Sequence, residues 1–179
     1  MKKMRFAILL LTFIGYGQNV DKENFVLENN QVHWQKVFPR ENIQADSLKT
    51  LFEAAVLPKI KHAKLDKKSD RLSFDVVDDA IDYKKYGGGN FSTGVFAKQA
   101  HLYHVVVEFK DERYRVTITN IENIAGNVQS VNEPFAEAVT KNGTTFHQSK
   151  MVENGLQIMN TYFTEKFTIP QYIKQKTDW

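Results

Sequence analysis

Two long alternating segments, joined by a short charged connection, constrain the fold of this chain most strongly. Residues 100–109 and 114–121 each place apolar side chains at every second position, and the charged residues 110–113 connect them. Alternation with period two is typical of a strand with one buried face. Because the connection is short, the two strands form a hairpin. We therefore predict an antiparallel sheet built around this hairpin.

Further strands are indicated on the N-terminal side of the hairpin. Residues 25–28 and 31–38 are rich in β-forming side chains and flank Asn29-Asn30, a pair that tolerates the positive φ of a tight turn. Residues 71–77 alternate apolar and polar side chains, as a half-buried strand does. The charged stretch before them, residues 64–71, is interpreted as a turn.

Two main helices are predicted from apolar spacing of about 3.6 residues. The first covers residues 47–60, with Asp46 and Ser47 as its N-terminal cap and Pro58 near its end. The second covers residues 149–167 and stops before Pro170. A weaker helical piece falls at about 133–141. The fold class is therefore α+β: an antiparallel sheet of about four or five strands with both main helices on one face.

The first 17 residues have the three parts of a secretory signal peptide. Lys2, Lys3 and Arg5 form a basic head, residues 6–14 form an apolar run, and Gly15-Tyr16-Gly17 provides a small-x-small exit. The run is too short to span a bilayer, which needs roughly 20 apolar residues. We expect cleavage after Gly17 and export to the periplasm or the outside of the cell.

Removal of this leader leaves one domain without a charge excess. Residues 18–179 fit a single domain with a core at about 25–167 and a polar tail at 168–179. The leader holds three of the 24 basic residues and none of the 21 acidic ones, so 21 of each remain. This balance argues against a nucleic-acid partner. We also expect no integral membrane segment in the mature chain.

The segments around the two hairpins resemble those of a known family. Residues 31–38 contain Trp-Gln-Lys-Val-Phe, and residues 111–115 read Asp-Glu-Arg-Tyr-Arg. These motifs, with the order of elements over about 25–125 and the last helix, resemble the domain of unknown function with a TATA-binding-protein-like (TBP-like) fold in exported Bacteroidetes-type proteins. The resemblance implies a β-α-β-β-β-α fold and export. It implies no established activity, and DNA binding does not follow from a fold name.

Candidate binding residues follow from the predicted faces of the strands. If the apolar faces pack on the helices, the opposite face carries polar side chains, which a solvated antiparallel sheet also shows. On that face Arg115 is suited to an anionic group or a carbohydrate. A second candidate is the long loop 78–98, in which aromatic residues could anchor a partner. The selected residues are Gln35, Asp75, His104, Arg115 and, from the loop, Tyr86 with Tyr83 and Phe91 beside it.

Metal and nucleotide chemistry is not indicated. His101 and His104 are three apart on a strand and therefore point to opposite faces. Four aspartates, Asp75, Asp78, Asp79 and Asp82, could hold a cation or act as an acid–base pair, but they lack the pattern of an EF-hand loop. The lysines at 84–85 precede the glycines at 87–89, which is not the order of a P-loop. The chain has no cysteine. We expect no metal, no cofactor and no catalytic residue.

Asp46-Ser47-Leu48 is similar to the acceptor motif of periplasmic O-glycosylation in this bacterial group. The same residues are also typical of an ordinary helix cap, which we favour, and Ser47 is kept as a possible glycosylation site.

Two functions from different classes remain open. The favoured one is a non-enzymatic domain that binds an unknown envelope protein or glycan. The alternative is a hydrolase-type enzyme using Asp75, His104 and Arg115, which requires those three side chains to converge in a closed pocket. A self-associating structural protein is a third possibility, tested by molar mass in solution.

Overall fold

The computed structural model describes residues 20–124 and 132–171, so the expected leader, its cleavage site and residues 172–179 of the tail lie outside the described residues. Two short 3-10 turns, Leu57–Lys59 and Val95–Lys98, accompany the main elements. In chain order those elements are β1 (Val20–Lys22), β2 (Phe25–Glu28), β3 (Gln31–Pro39), α1 (Ala45–Ala55), β4 (His62–Lys67), β5 (Arg71–Ala80), β6 (Ala100–Lys110), β7 (Arg113–Ile124), β8 (Glu133–Pro134), α2 (Phe135–Val139), β9 (Thr140–Lys141), β10 (Thr145–Phe146) and α3 (Lys150–Phe167).

Eight of the ten described strands form one large antiparallel sheet in the order β1-β2-β3-β7-β6-β5-β4, with β8 added beside β7, and β9 and β10 form a separate two-stranded sheet. The predicted hairpin of β6 and β7 lies at its centre, and β3 pairs with β7 from Trp34 opposite Ile118 to Pro39 opposite Arg113. The α+β class and the antiparallel sheet are therefore confirmed. Within the described residues the sheet has eight strands rather than four or five, because the short β1 and the charged β4 extend its two edges and the short β8 pairs with β7.

Both main helices pack on the same face of the sheet, called here the inner face. Phe52 of α1 makes an edge contact with Tyr114, with 5.8 Å between ring centroids. Phe163 of α3 makes edge contacts with Trp34 and Tyr103, each at 5.5 Å. All five rings are fully or almost fully buried. Such aromatic burial contributes most of the favourable free energy of a core like this one.

The charged turn predicted over residues 64–71 is wrong, because residues 62–67 form the edge strand β4. Most of its side chains are exposed, so the apolar alternation that reveals a strand is missing. Its register with β5 shifts between Ala63 and Asp66, and Lys64 has φ of 53° within that bulge. Lysines and a bulge on an edge strand are typical devices against further strand pairing.

The first main helix differs at both ends from its prediction. It begins at Ala45 after the cap residue Gln44, which makes no side-chain cap hydrogen bond, so Asp46 and Ser47 lie in the first turn and are not the cap. It ends at Ala55, and the chain continues into the 3-10 turn that contains Pro58. Pro58 has no amide hydrogen to donate to the carbonyl four residues earlier, so the α-helical hydrogen-bond pattern does not continue through it.

The last helix has its predicted bounds, with the Ser149 hydroxyl accepting a hydrogen bond from the Val152 amide. The loop after β5 packs on this helix, and Asn154 of α3 donates to the Ser92 carbonyl at 3.0 Å. Within the described ranges, none of the helices is long and apolar enough to cross a membrane.

Candidate functional site

The side of the sheet opposite the helices, called here the outer face, carries most of the candidate residues. Two pairing rows can be followed across four strands of this face. One row is neutral and one is charged. The neutral row is Gln35, Thr117, Val106 and Ser73, and the charged row is Val37, Arg115, Glu108 and Arg71.

Asp75 and His104 form a close pair on the outer face, in a further pairing position beyond the neutral row. They lie opposite each other on β5 and β6, and the His104 Nδ1–H donates to Asp75 Oδ1 at 2.8 Å. The Lys64 ammonium lies 3.2 Å from the other carboxylate oxygen. The hydrogen bond from His104, assisted by Lys64, holds the pKa of the Asp75 carboxyl below its ordinary value. Asp75 therefore stays charged at neutral pH.

Arg115 is engaged elsewhere on the same face. Its guanidinium donates through Nε and Nη2 to Glu108 Oε2, at 2.9 and 2.5 Å. Glu108 and His104 are four positions apart on β6, which is about 13 Å of extended strand. Asp75, His104 and Arg115 therefore do not converge, and they lie on an open sheet surface. The hydrolase hypothesis requires these three side chains to meet in a closed pocket, and this arrangement does not provide one.

Gln35 lies on β3 in the neutral row, which separates the Asp75–His104 pair from the charged row. Its side-chain amide donates to the Thr117 hydroxyl at 3.2 Å and so joins β3 to β7. A shallow hollow of about 220 Å³ opens at the end of the charged row. It is lined by Val37, Glu108, Lys110, Arg113, Tyr114 and Arg115. Three cations and one carboxylate make it suited to an anionic group.

Tyr86 belongs to a different region of the molecule. Its hydroxyl donates to Glu165 of α3 at 2.7 Å, and the Lys85 ammonium lies 2.6 Å from the same carboxylate. The hydrogen bond from Lys85, and then that from Tyr86, lowers the pKa of Glu165. Since α3 covers the inner face, Tyr86 and the four outer-face candidates lie on opposite sides of the sheet. Its contacts fasten the loop to the helix.

The two other aromatic residues of the loop differ in exposure. Tyr83 is half-buried, and its hydroxyl donates to the Asn90 side chain within the loop. Phe91 is 93% exposed. Of the three aromatic candidates in this loop, Phe91 therefore offers the largest accessible apolar surface.

The four aspartates do not lie together. One of them, Asp79, belongs to a buried cluster of polar side chains that was not predicted from the sequence. Asp79 accepts hydrogen bonds from the Tyr103 hydroxyl at 2.5 Å, the Tyr162 hydroxyl at 2.6 Å and the Lys166 ammonium at 2.5 Å. Burial, followed by the hydrogen bond to Asp79, raises the pKa of Tyr162, so its proton stays in place. The one sequence signal is that Tyr162 and Lys166 are one helical turn apart. Both carboxylate oxygens of Asp79 are engaged by these partners, which points to a structural role.

The two histidines of β6 lie on opposite faces, with His101 buried inside and His104 outside. Among the described residues, no group of three histidine, aspartate or glutamate side chains is placed to hold a metal ion. Ser47 is exposed in the first turn of α1.

Comparison with solved structures shows the fold. The chain is similar to a TBP-like protein from Parabacteroides distasonis, with a TM-score of 0.56 and 11% identity, over 78% of this chain and 92% of the other. A DUF4468 family protein from Bacteroides ovatus aligns with a TM-score of 0.44 and 11% identity, over 81% of this chain and 92% of the other. No protein-family model and no curated protein matches the sequence. The TBP-like fold that the sequence resemblance implied is therefore confirmed.

Proposed function

We propose that this protein is an exported, non-enzymatic binding domain whose outer face holds a protein or a glycan of the cell envelope. The observation that carries the proposal is the neutral row of Gln35, Thr117, Val106 and Ser73, next to the charged row on one side and the Asp75–His104 pair on the other. The described helices pack on the inner face and leave this row uncovered.

The chemistry of the outer face suits recognition. Hydroxyl and amide groups of the neutral row provide both donors and acceptors, while Val106 adds a small apolar contact. The flanking charges are held by partners on neighbouring strands, Arg115 by Glu108 and Asp75 by His104. A preorganised surface loses less side-chain freedom when a partner binds, which favours affinity.

The hydrolase alternative receives less support from the geometry. The Asp75–His104 contact resembles an oriented acid–base pair, but Arg115 on β7 is held by Glu108, which lies about 13 Å from His104 along β6. Catalysis gains from groups that are fixed around one reacting atom, and these three groups surround no common point.

Export rests on the leader at residues 1–17, and periplasmic or extracellular localisation follows from it. Amino-terminal analysis of the protein recovered from the cell envelope tests this, with Gln18 as the expected first residue. Glycosylation at Ser47 stays a prediction, for which an intact-mass increase that disappears in Ser47→Ala is the measurement.

The binding proposal is tested by capture from envelope extract and by a glycan array. The purified protein is compared with a Gln35→Ala/Arg115→Ala variant, and with the control Gln157→Ala/Lys141→Ala, which changes exposed residues off the outer face. We expect a partner protein or glycan that binds the wild type and the control but not the outer-face variant. A partner retained equally by all three would contradict the proposal.

A further inference from the structure

Two buried polar side chains face each other across the central hairpin on the inner side of the sheet. His101 of β6 and Asn123 of β7 are paired in register, and Asn123 is only 1% exposed. The His101 Nδ1–H donates to the Asp79 carbonyl at 3.3 Å. Among the described residues, His101 Nε2 and both amide atoms of Asn123 have no hydrogen-bond partner.

The fold alone does not account for Asn123. A buried amide without partners lowers stability, whereas an apolar side chain of similar size at this position would raise it. The neighbouring inward positions of β7, Ile118 and Ile121, are apolar. Asn123 therefore interrupts an apolar face and lowers the stability of the fold. We look for its role in a contact outside the fold.

Asn123 lines a cleft of about 330 Å³ between the 3-10 turn Val95–Lys98, α2 and the first turn of α3. Its apolar lining includes Val95, Phe96, Ala138, Met151 and Val152. Val95 is 64% exposed and Met151 is 43% exposed, so the rim presents apolar surface to solvent. Phe91, the most exposed large apolar side chain among the described residues, lies in the loop that leads into this 3-10 turn.

We propose that this cleft binds an extended segment of a partner protein, which inserts an apolar side chain between Val95 and Met151 and pairs a backbone peptide group with Asn123. An unpaired side-chain amide offers one acceptor and two donors, which is the complement of a peptide group. Methionine is enriched in interface cores, and Met151 lies on this rim. Because the Asn123 amide atoms are enclosed, the proposal requires the neighbouring lining side chains, among them Met151 and Gln99, to move when the segment enters.

The site lies on the helix side of the sheet and is independent of the outer face. The binding proposal and a purely structural role for Asn123 predict different effects of the same substitution. Asn123→Leu leaves thermal stability unchanged or higher, because it removes unpaired polar atoms, and it weakens binding of the segment. If Asn123 served the fold alone, the same substitution would lower stability.

The test uses a phage-displayed library of random linear peptides selected on the purified protein. Peptides with an apolar anchor are expected, and Asn123→Leu and Val95→Glu should each weaken their binding about tenfold or more. Val77→Glu, at an exposed valine of β5 outside the cleft, is the matched control and should leave affinity unchanged. A library that yields no peptide, or only peptides indifferent to Val95→Glu and Asn123→Leu, would overturn the proposal.

Discussion

Lys166 of α3 and Asp79 at the end of β5 form an enclosed ion pair, with 2.5 Å between Nζ and Oδ1 and side chains 12% and 11% exposed. Removing one partner of such a pair leaves the other buried without compensation. We expect Asp79→Ala to lower the free energy of unfolding by about 3 kcal/mol, measured by urea denaturation. The exposed pair of Lys85 and Glu165 is the comparison, and Lys85→Ala should change stability little.

A double variant separates the charge effect from packing. Asp79→Leu/Lys166→Met removes both charges and should recover part of the loss, because no isolated buried charge remains. An additive loss in the double variant would contradict the account of the cluster as a coupled unit.

The Trp34 indole on β3 and Asn160 on α3 provide a second test. The indole Nε1–H donates to Asn160 Oδ1 at 2.9 Å, and Trp34 is fully buried. Asn160→Ala leaves this donor unpaired and should cost about 1–3 kcal/mol of unfolding free energy. Asn160→Asp keeps an acceptor oxygen and should cost less. Equal losses in the two variants would show that the hydrogen bond is not the cause.

Gly155 in the interior of α3 should not tolerate alanine. A Cβ at this position would lie 2.5 Å from Cζ of Phe96. Although alanine favours a helix over glycine by about 1 kcal/mol, overpacking costs typically about 1–3 kcal/mol. We expect a lower melting temperature for Gly155→Ala, a partial rescue by adding Phe96→Leu, and no loss for the exposed helix control Gln157→Ala. A higher melting temperature for Gly155→Ala would contradict this packing.

The Asp75 carboxyl should titrate below its ordinary pKa of 3.8. A pKa lowered in the folded state contributes stability that is present above 3.8 and is lost as pH falls through the folded value. NMR titration of the carboxyl carbon measures this pKa directly. His104→Ala should raise the pKa more than Lys64→Ala does, because the His104 hydrogen bond is the larger cause. The reverse order would contradict the geometry of the pair.

The sequence was sufficient for elements whose side chains are patterned by one buried face. The central hairpin, the first hairpin and α3 have strong periodicity, and their bounds were predicted closely. The edge strand β4 lacks that periodicity since most of its side chains are solvated. The early end of α1 depends on how Pro58 is accommodated, which spacing along a helix does not reveal.

For the site residues too, features set by strand alternation were predictable and features set by contacts between distant segments were not. The shared outer face of Gln35, Asp75, His104 and Arg115 followed from strand alternation, and so did the opposite orientation of the two histidines of β6. Pairing across strands was not predictable, because it depends on register. The Asp79 cluster joins β5 to α3 across 87 residues, and the loop around Tyr86 is bound to the same helix. Because both contacts join distant parts of the sequence, no pattern within one segment predicts them.

The outer face is most directly tested by methyl NMR of the protein titrated with the partner captured from the envelope. Leu102 of β6 alternates with the buried Tyr103 and so lies on the outer face. The account predicts that the methyl resonances of Val37, Leu102 and Val106 shift on binding, and that Arg115→Ala/Gln35→Ala abolishes those shifts. Shifts confined to methyl groups on the helix side, such as those of Val95 and Met151, would contradict it.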